Sequence, residues 1–361
     1  MQLQVTQENL ARALSTVARV ASTRGTLPIL SNVLLKTVDK RLSVSATNLD
    51  IAISQNIGSK IDKDGAITVP ARLMQDFVNS LPDSVLQLEL EENKLHITTD
   101  KYNSTINGMP ADDFPIMPAI SEGVEWKVPA SSLKHALSQV VFAASGDDAR
   151  PVLTGVYIHN INSEIIAVAT DSYRLAENNL GKNKAAVNFL VPSSAANDLL
   201  RIISDQSQDV VINHDDQQVS FKVSDVTLVA RLIEGNYPDY RKLIPNKFET
   251  VARLKRADLA NITKVSALFA RESAGSITIK AEAKSVSITA VASQLGENTA
   301  SAEAEIQGGG EVTLNSRYLI DGLNAFSAEA IEFCFNGKLE PCILRSPEEP
   351  KYTHLIMPLR S

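Results

Sequence analysis

The chain states one pattern three times. VTQENLARALSTVARVA (5–21), VPASSLKHALSQVVFAA (128–144) and LKRADLANITKVSALFA (254–270) align without gaps and superpose Leu10, Leu133 and Leu259, 123 and 126 residues apart. Apolar residues return in them at helical spacing, as in Leu10, Leu14, Val17 and Val20. ITVPARLMQDFVNSL (67–81), FLVPSSAANDLLRII (189–203) and VTLNSRYLIDGLNAF (312–326) form a second set, superposing Val69, Val191 and Leu314 at 122 and 123. Each passes through Pro or Asn and small polar residues, which start helices. A turn, MPADDFPIMP (109–118), matches IEGNYPDYRKLIP (233–245) with Phe114-Pro115 on Tyr237-Pro238, again 123 apart. Between these landmarks lie alternating runs such as RLSVSAT, VLQLEL, KLHITTD, QVSFKV and SVSITA, which have the period of half-buried strands. A unit this long is a whole domain, since solenoid repeats run to roughly 20–45 residues. The reading is an α+β chain of three tandem domains, 1–122, 123–247 and 248–361, each with two helices and antiparallel sheets.

The composition is that of a globular protein, with 44% hydrophobic and 21% charged residues. MQLQVTQENLARAL has no basic stretch leading into an apolar one, and no apolar run reaches the ~18 residues of a membrane span. A cytoplasmic location is expected, with Cys334 and Cys342 as buried thiols. The net charge of −7 argues against simple coating of nucleic acid. Within the six helical segments, however, the balance reverses. Glu8, Arg12 and Arg19, Lys134, and Lys255, Arg256, Asp258, Lys264 and Arg271 leave a surplus of +5, and the second set pairs Arg72 with Asp76, Asp198 with Arg201 and Arg317 with Asp321.

ATDSYRLA (169–176) concentrates Thr170, Asp171, Ser172, Tyr173 and Arg174, the raw material of an active site. The repeats supply an internal control. Thr170 falls on Thr47 in LSVSATNLDIAI, so a strand and a turn belong to the scaffold. Only the aromatic and basic pair is special to the middle copy. A nucleophile needs a base in reach, yet His96, His135, His159, His214 and His354 lie in no HExxH or GxSxG setting, and no phosphate-binding glycine loop is present. The pairs Asp112-Asp113, Asp147-Asp148 and Asp215-Asp216 fall in expected turns. No catalytic residue, metal or cofactor is expected. The competing reading is an enzyme built on Asp171, Ser172, Tyr173 and Arg174.

The three-copy layout with RGTLPIL (24–30), ATDSYRLA, NYPDYRKLIP (236–245) and HLIMPLRS (354–361) resembles the bacterial DNA polymerase III beta subunit family, the DNA sliding clamps. The resemblance implies three DNA-clamp domains closing as a head-to-tail dimeric ring around double-stranded DNA, helices lining the hole and no bond chemistry. It implies as partners a second copy, a clamp loader, replicative and translesion DNA polymerases, mismatch repair proteins and ligase. Arg24 and Arg72 match basic positions facing DNA, and Lys134, Arg201 and Lys255 fall on the channel helices. Ser193, Ser194 and Asp147 depart from the family pattern.

A peptide pocket is implied at Leu153, Thr170, Ser172, Tyr173, Arg174 and Leu175, then Pro238, Lys242 and Leu243, then Leu355, Ile356, Met357, Pro358, Leu359 and Arg360. Lys242 stands where Arg is common, which weakens a bidentate contact. Met and Leu surfaces adapt to varied ligands, Arg and aromatic residues are favoured anchors, and Pro358 cannot donate to a strand ladder. The subunit seam is expected between KYNSTIN (101–107), with Ser104, and SALFARE (266–272). Leu268 and Phe269 either make its apolar contact or face their own core.

Overall fold

The computed structural model describes residues 1–21, 27–115, 120, 122–292, 294 and 296–360. Among them are six α-helices: α1 (Gln7–Val17), α2 (Ala71–Ser80), α3 (Ala130–Val140), α4 (Ser193–Ile202), α5 (Arg256–Phe269) and α6 (Ser316–Ala325). Each is entered directly from a strand, in turn Gln2–Thr6, Ala66–Pro70, Val124–Pro129, Asn188–Pro192, Thr250–Lys255 and Gly310–Asn315. The two sets of aligned segments are therefore one motif, strand then helix, used twice per repeat.

Local chemistry sets these entries. The Thr6 side chain accepts from the Asn9 backbone N–H, and Asn315 accepts from those of Arg317 and Tyr318. Pro70, Pro129 and Pro192 each close a strand one residue before a helix, where a missing N–H costs little. α1 buries Leu10, Ala13, Leu14 and Val17, and packs on α2 and on strand Ile51–Ile57. α6 buries Leu319 and Leu323 and packs on α5. Each such buried aliphatic side chain is worth about 1.5–3 kcal/mol.

The helix ends revise the charge reading. Arg19 lies in the turn after α1, Lys255 precedes α5, and Arg271 starts the 3₁₀ turn Arg271–Ser273. Within the helices proper, Lys134 contributes +1 and Arg256, Lys264 and Asp258 together +1, the other charges cancelling, so the surplus is +2. SALFARE (266–272) is the last turn of α5 running into that 3₁₀ turn, with Leu268 exposed and Phe269 half-buried.

The chain forms two compact units, Met1–Ser131 with Asn197–Leu232, and Ser132–Ala196 with Ile233–Ser361. The first holds an eight-stranded antiparallel sheet ordered Val124–Pro129, Asp209–His214, Gln218–Val223, Val226–Arg231, Ile51–Ile57, Arg41–Thr47, Asn32–Val38, Ala66–Pro70. The second holds a nine-stranded sheet in which Thr250–Lys255, Ala330–Phe335, Cys342–Arg345, Tyr352–Ile356, Arg174–Lys182, Glu164–Thr170, Gly155–Ile161 and Asn188–Pro192 follow in the same topological order, with Glu305–Gln307 added at the edge. Each long sheet is thus two half-sheets from successive repeats, joined at one antiparallel pair of strands. In the first, Ala52 pairs with Val229; in the second, Leu175 pairs with Leu355.

Each unit also keeps one half-sheet of its own. The first has Lys60–Lys63, Gln2–Thr6, Val85–Glu91, Lys94–Thr98 and Asn103–Asn107; the second has Gly296–Glu303, Ser285–Ala292, Ser276–Glu282 and Gly310–Asn315. Cys334 and Cys342 are free and buried, and burial pushes the Cys334 thiol up to about 11.

Candidate functional site

Strand Glu164–Thr170 turns through Asp171–Tyr173 into Arg174–Lys182, the strand that joins the second pair of half-sheets. The turn is tied by its own side chains. Thr170 Oγ1 donates to the Arg174 carbonyl at 2.6 Å and accepts from the Ser172 N–H at 3.1 Å. Asp171 Oδ1 accepts from the N–H groups of Tyr173 and Arg174 at 2.9 and 3.0 Å. Ser172 takes the left-handed conformation, φ 79°. Short polar residues are needed here because their side chains replace absent ladder bonds.

The first junction has the same turn bond for bond. Thr47 Oγ1 donates to the Ile51 carbonyl at 3.0 Å and accepts from the Leu49 N–H at 3.1 Å. Asn48 Oδ1 accepts from Asp50 and Ile51 at 3.0 and 2.8 Å, and Leu49 also has φ 79°. The strand across the junction is held alike, Arg231 N–H to the Asp50 carbonyl and Met357 N–H to the Tyr173 carbonyl, both at 2.8 Å.

Arg174 is what the second junction adds. It is buried, 8% exposed, in the place of Ile51. Its Nε donates to Asp171 Oδ2 at 3.0 Å, Nη1 to Asp321 Oδ2 on α6 at 2.6 Å, and Nη2 to the Phe142 carbonyl at 2.8 Å. The guanidinium lies 5.3 Å from the Phe142 ring centre and 4.7 Å from that of Tyr318. All its nitrogens are engaged, so Arg174 ties the turn to α6 and to the segment after α3. Asp321, Phe142 and Tyr318 complete this arrangement and were not singled out from the sequence. The neighbour Tyr173 is 59% exposed and has its ring open to solvent.

The remaining sequence-nominated residues divide by strand alternation. Leu175 and Leu355 face one side of the sheet, in a buried cluster with Val168, Tyr240, Cys334 and Ile343 against which Met357 packs. Pro238, Lys242 and Leu243 flank Tyr240, whose N–H donates to the Pro238 carbonyl at 2.8 Å. Leu243 is exposed, and Lys242 makes a solvent-facing pair with Asp239 at 2.7 Å. Arg174 and its partner Ile356 face the helices instead. The same side carries His354, fully buried beside Phe142. α6 passes it at Gly322, where a Cβ would run into the imidazole ring. Burial, reinforced by Arg174, pushes the His354 pKa down to about 3. Leu153 is buried in the 3₁₀ turn Pro151–Leu153. The strand ends at Ile356, and Met357, Pro358 and Leu359 continue half-buried, the Leu359 N–H donating to the Thr313 carbonyl at 2.8 Å, with Arg360 exposed.

Beside this cluster, Tyr157 stacks on His159 and on Tyr237 at 4.3 and 4.7 Å, and His159 Nε2 meets the Tyr240 hydroxyl at 3.0 Å. Burial raises Glu177 and lowers His159 to about 4, so the histidine is neutral at physiological pH. Arg241 pairs with Glu177 at 3.3 Å. These groups hold the outer wall together; none is arranged as a nucleophile and base.

The expected DNA-facing residues occupy separate places. Arg24 lies outside the described residues. Arg72 is almost fully exposed on α2, 4.0 Å from Asp76. Arg201 meets Asp198 at 2.9 Å and lines a cleft of about 220 Å³ with Arg12 and Arg19, which the sequence counted in its charge balance without naming as site residues. Burial raises the Asp198 carboxyl against the pull of Arg201 and Arg19. Lys134 lies on α3, and Lys255 lies in an open groove with Arg253 and Asp258. Ser104 sits on Asn103–Asn107, which ends its sheet and among the described residues pairs with Lys94–Thr98 alone.

Comparison with known proteins covers nearly the whole chain. Sequence models of the DNA polymerase III beta subunit match its N-terminal domain to residues 1–118, its central domain to 127–239 and its C-terminal domain to 241–360. The beta sliding clamp of Synechocystis sp. is 33% identical, covering 100% of this chain and 99% of its own length, and that of Bacillus subtilis is 29% identical over 100% of both. The crystal structure of the Bacillus subtilis clamp superposes with a TM-score of 0.96 at 28% identity, covering 100% of this chain and 99% of that one. The clamp of Bartonella birtlesii bound to griselimycin does so with 0.96 at 27% identity over 100% of both.

Proposed function

Since the chain belongs to the DNA polymerase III beta subunit family and is a non-catalytic sliding clamp of DNA replication, we propose how its own residues close the ring and receive partners. Two copies join head to tail through the half-sheets that each leaves unpaired. The observation that carries this is the repeated junction. Ile51–Ile57 meets Val226–Arg231, and Arg174–Lys182 meets Tyr352–Ile356. In the repeat, Gly296–Glu303 stands where Ile51–Ile57 and Arg174–Lys182 stand, and Asn103–Asn107 where Val226–Arg231 and Tyr352–Ile356 stand. A third junction of the same kind, made with a second copy, consumes both edges and closes without remainder. α5 packs on Gly296–Glu303, so the exposed Leu268 lies near the seam although SALFARE does not pair in it.

The second junction takes a short apolar peptide from partner proteins. Leu175, Leu355 and Met357 supply the apolar wall, Tyr173 and Leu243 the exposed contacts, and Arg174 the anchorage of the turn. A griselimycin-bound relative supports a ligand-binding surface on this fold. The clamp loader, replicative and translesion polymerases, mismatch repair proteins and ligase are the proposed partners, in the cytoplasm. Arg72, Lys134, Arg201 and Lys255, together with Arg12 and Arg19, meet DNA phosphates, in contacts that carry no sequence information and weaken with salt.

Cysteines at Ser104 and Asn298 test the seam, since the repeat places Ser104 where Leu228 and His354 stand and Asn298 where their partners Ile53 and Ala176 stand. Opposed strand residues lie within disulfide reach. Oxidation of the double variant is expected to give a covalent dimer, and each single variant a monomer on denaturing gels. A double variant that stays monomeric when oxidised contradicts this seam.

A further inference from the structure

The first junction carries a cleft of about 220 Å³ on its sheet face, bounded by Phe114 and Pro115. Thr47, Ala52, Pro115 and Val229 line it. They stand where Thr170, Leu175, Pro238 and Leu355 stand at the second junction, as the common register and the 123-residue repeat require. The side chains are smaller. Ala52 replaces Leu175, and Ser45 replaces Val168, which at the second junction is packed in the cluster with Tyr240. Among the described residues the lining contains Lys36 and no carboxylate, in a chain where acids outnumber bases 42 to 35.

We propose that this cleft is a second peptide-docking site, taking a short extended segment of a partner protein that presents one aliphatic side chain beside acidic residues. The inference rests on the docking reading of the second junction, from which it draws the ligand class. The turn at the head of this cleft is the same bond for bond as the turn of the second junction, so the backbone framework offered to a ligand is the same. Size selects the anchor. A cavity of roughly 150 Å³ accepts a benzene ring, so a cleft of about 220 Å³ has room for a leucine-sized side chain. Charge selects the flank, because Lys36 stands at the position His159 holds in the second junction and no acid among the described lining residues opposes an incoming carboxylate. Binding is weak, since a single aliphatic side chain and a solvent-facing ion pair contribute little.

The full-length dimer with labelled alanine, leucine and valine methyl groups tests this by NMR, using acetyl-Asp-Leu-Asp-amide as the probe. The methyl groups of Ala52 and Val229 are expected to shift and saturate at millimolar peptide. Acetyl-Lys-Leu-Lys-amide and acetyl-Asp-Ala-Asp-amide are expected to need severalfold more. Ala52→Phe, which fills a half-buried position facing the cleft, is expected to abolish the Val229 shift. Lys36→Glu is expected to weaken binding severalfold. Shifts at Leu175 and Leu355 without any at Ala52 and Val229 overturn the second site and leave the docking reading standing. Shifts confined to Ala52 and Val229 keep the second site and count against the reading it started from. Equal response to all three peptides, or none at Ala52 and Val229, overturns the inference.

Discussion

The turn at residues 47–51 and the turn at 170–174 have the same hydrogen bonds, a left-handed residue at the same position and a corresponding strand across the sheet, yet only one of them carries a buried guanidinium. At the first junction Ile51 fills the space below the turn, 3% exposed. At the second, Arg174 fills it and binds Asp171, Asp321 and the Phe142 carbonyl. The difference teaches that the repeat fixes the backbone of a junction, whereas a handful of substitutions decides what it can bind. The first junction spends its buried position on packing alone. The second uses it to tie three elements together, which leaves Tyr173 free at the surface.

The largest break in this comparison is Arg174→Ala. It removes the guanidinium from Asp171, which keeps its two backbone donors, and from Asp321 and the Phe142 carbonyl, and is expected to cost about 3–5 kcal/mol, the scale for removing one partner of a buried pair. Urea unfolding measures it, and a loss below that of Ile51→Ala, about 2–5 kcal/mol, would mean that the network is slack. Loss of peptide binding in this variant therefore reports on the turn, not on a direct contact.

A second contrast is acid sensitivity. His354 stands where the first junction has Leu228, each in register with the residue two after Arg174 and Ile51 along the joining strands, Ala176 and Ile53. With its folded pKa down at about 3 and an ordinary value near 6.5, His354 stays neutral in the fold while the unfolded chain takes up a proton below pH ~6.5. Its contribution is complete above that pH and falls by about 1.4 kcal/mol per pH unit down to about pH 3. His354→Leu is expected to remove about 2 kcal/mol of the stability change between pH 6.5 and 5. An unchanged slope, measured by urea midpoints, would place the acid sensitivity elsewhere.

Tyr173→Ala sharpens the contrast from the surface. Its ring is exposed, so unfolding is expected to be unaffected while affinity for a partner peptide falls about tenfold, the range of an aromatic anchor at about 1–2 kcal/mol. Fluorescence anisotropy measures this, and equal affinity would remove Tyr173 from the site. Lys242→Ala is the smallest change expected. Its pair with Asp239 lies in solvent, so no shift in the unfolding midpoint is expected and any effect on peptide binding should vanish at high salt.

The sequence made the three repeats, the strand-then-helix motifs and the shared turn readable, because each rests on local pattern: amphipathic spacing, a proline or polar cap, a Thr with an Asx residue after it. What it hid depends on distance. Asp321 reaches Arg174 from 147 residues away and Phe142 from 32, and no periodicity announces such pairs. Tyr173 and Arg174 are neighbours in the chain, but the turn leaves one in solvent while the strand beginning at the other carries it inward. The proposed pairing edge was hidden for a related reason: it lies in the polar run Gly296–Glu303, which has little strand-like hydrophobicity, whereas the apolar residues of SALFARE end α5. The continuity of sheets across junctions is likewise a property of pairing, visible only once the half-sheets are set side by side.

Retention on circular DNA tests the central claim most directly. The protein, loaded with a clamp loader and ATP onto a nicked circle, is expected to stay bound through gel filtration and to be lost when the circle is cut once. Equal retention on circle and linear form, falling with salt alike in both, would contradict a ring that holds DNA by enclosing it.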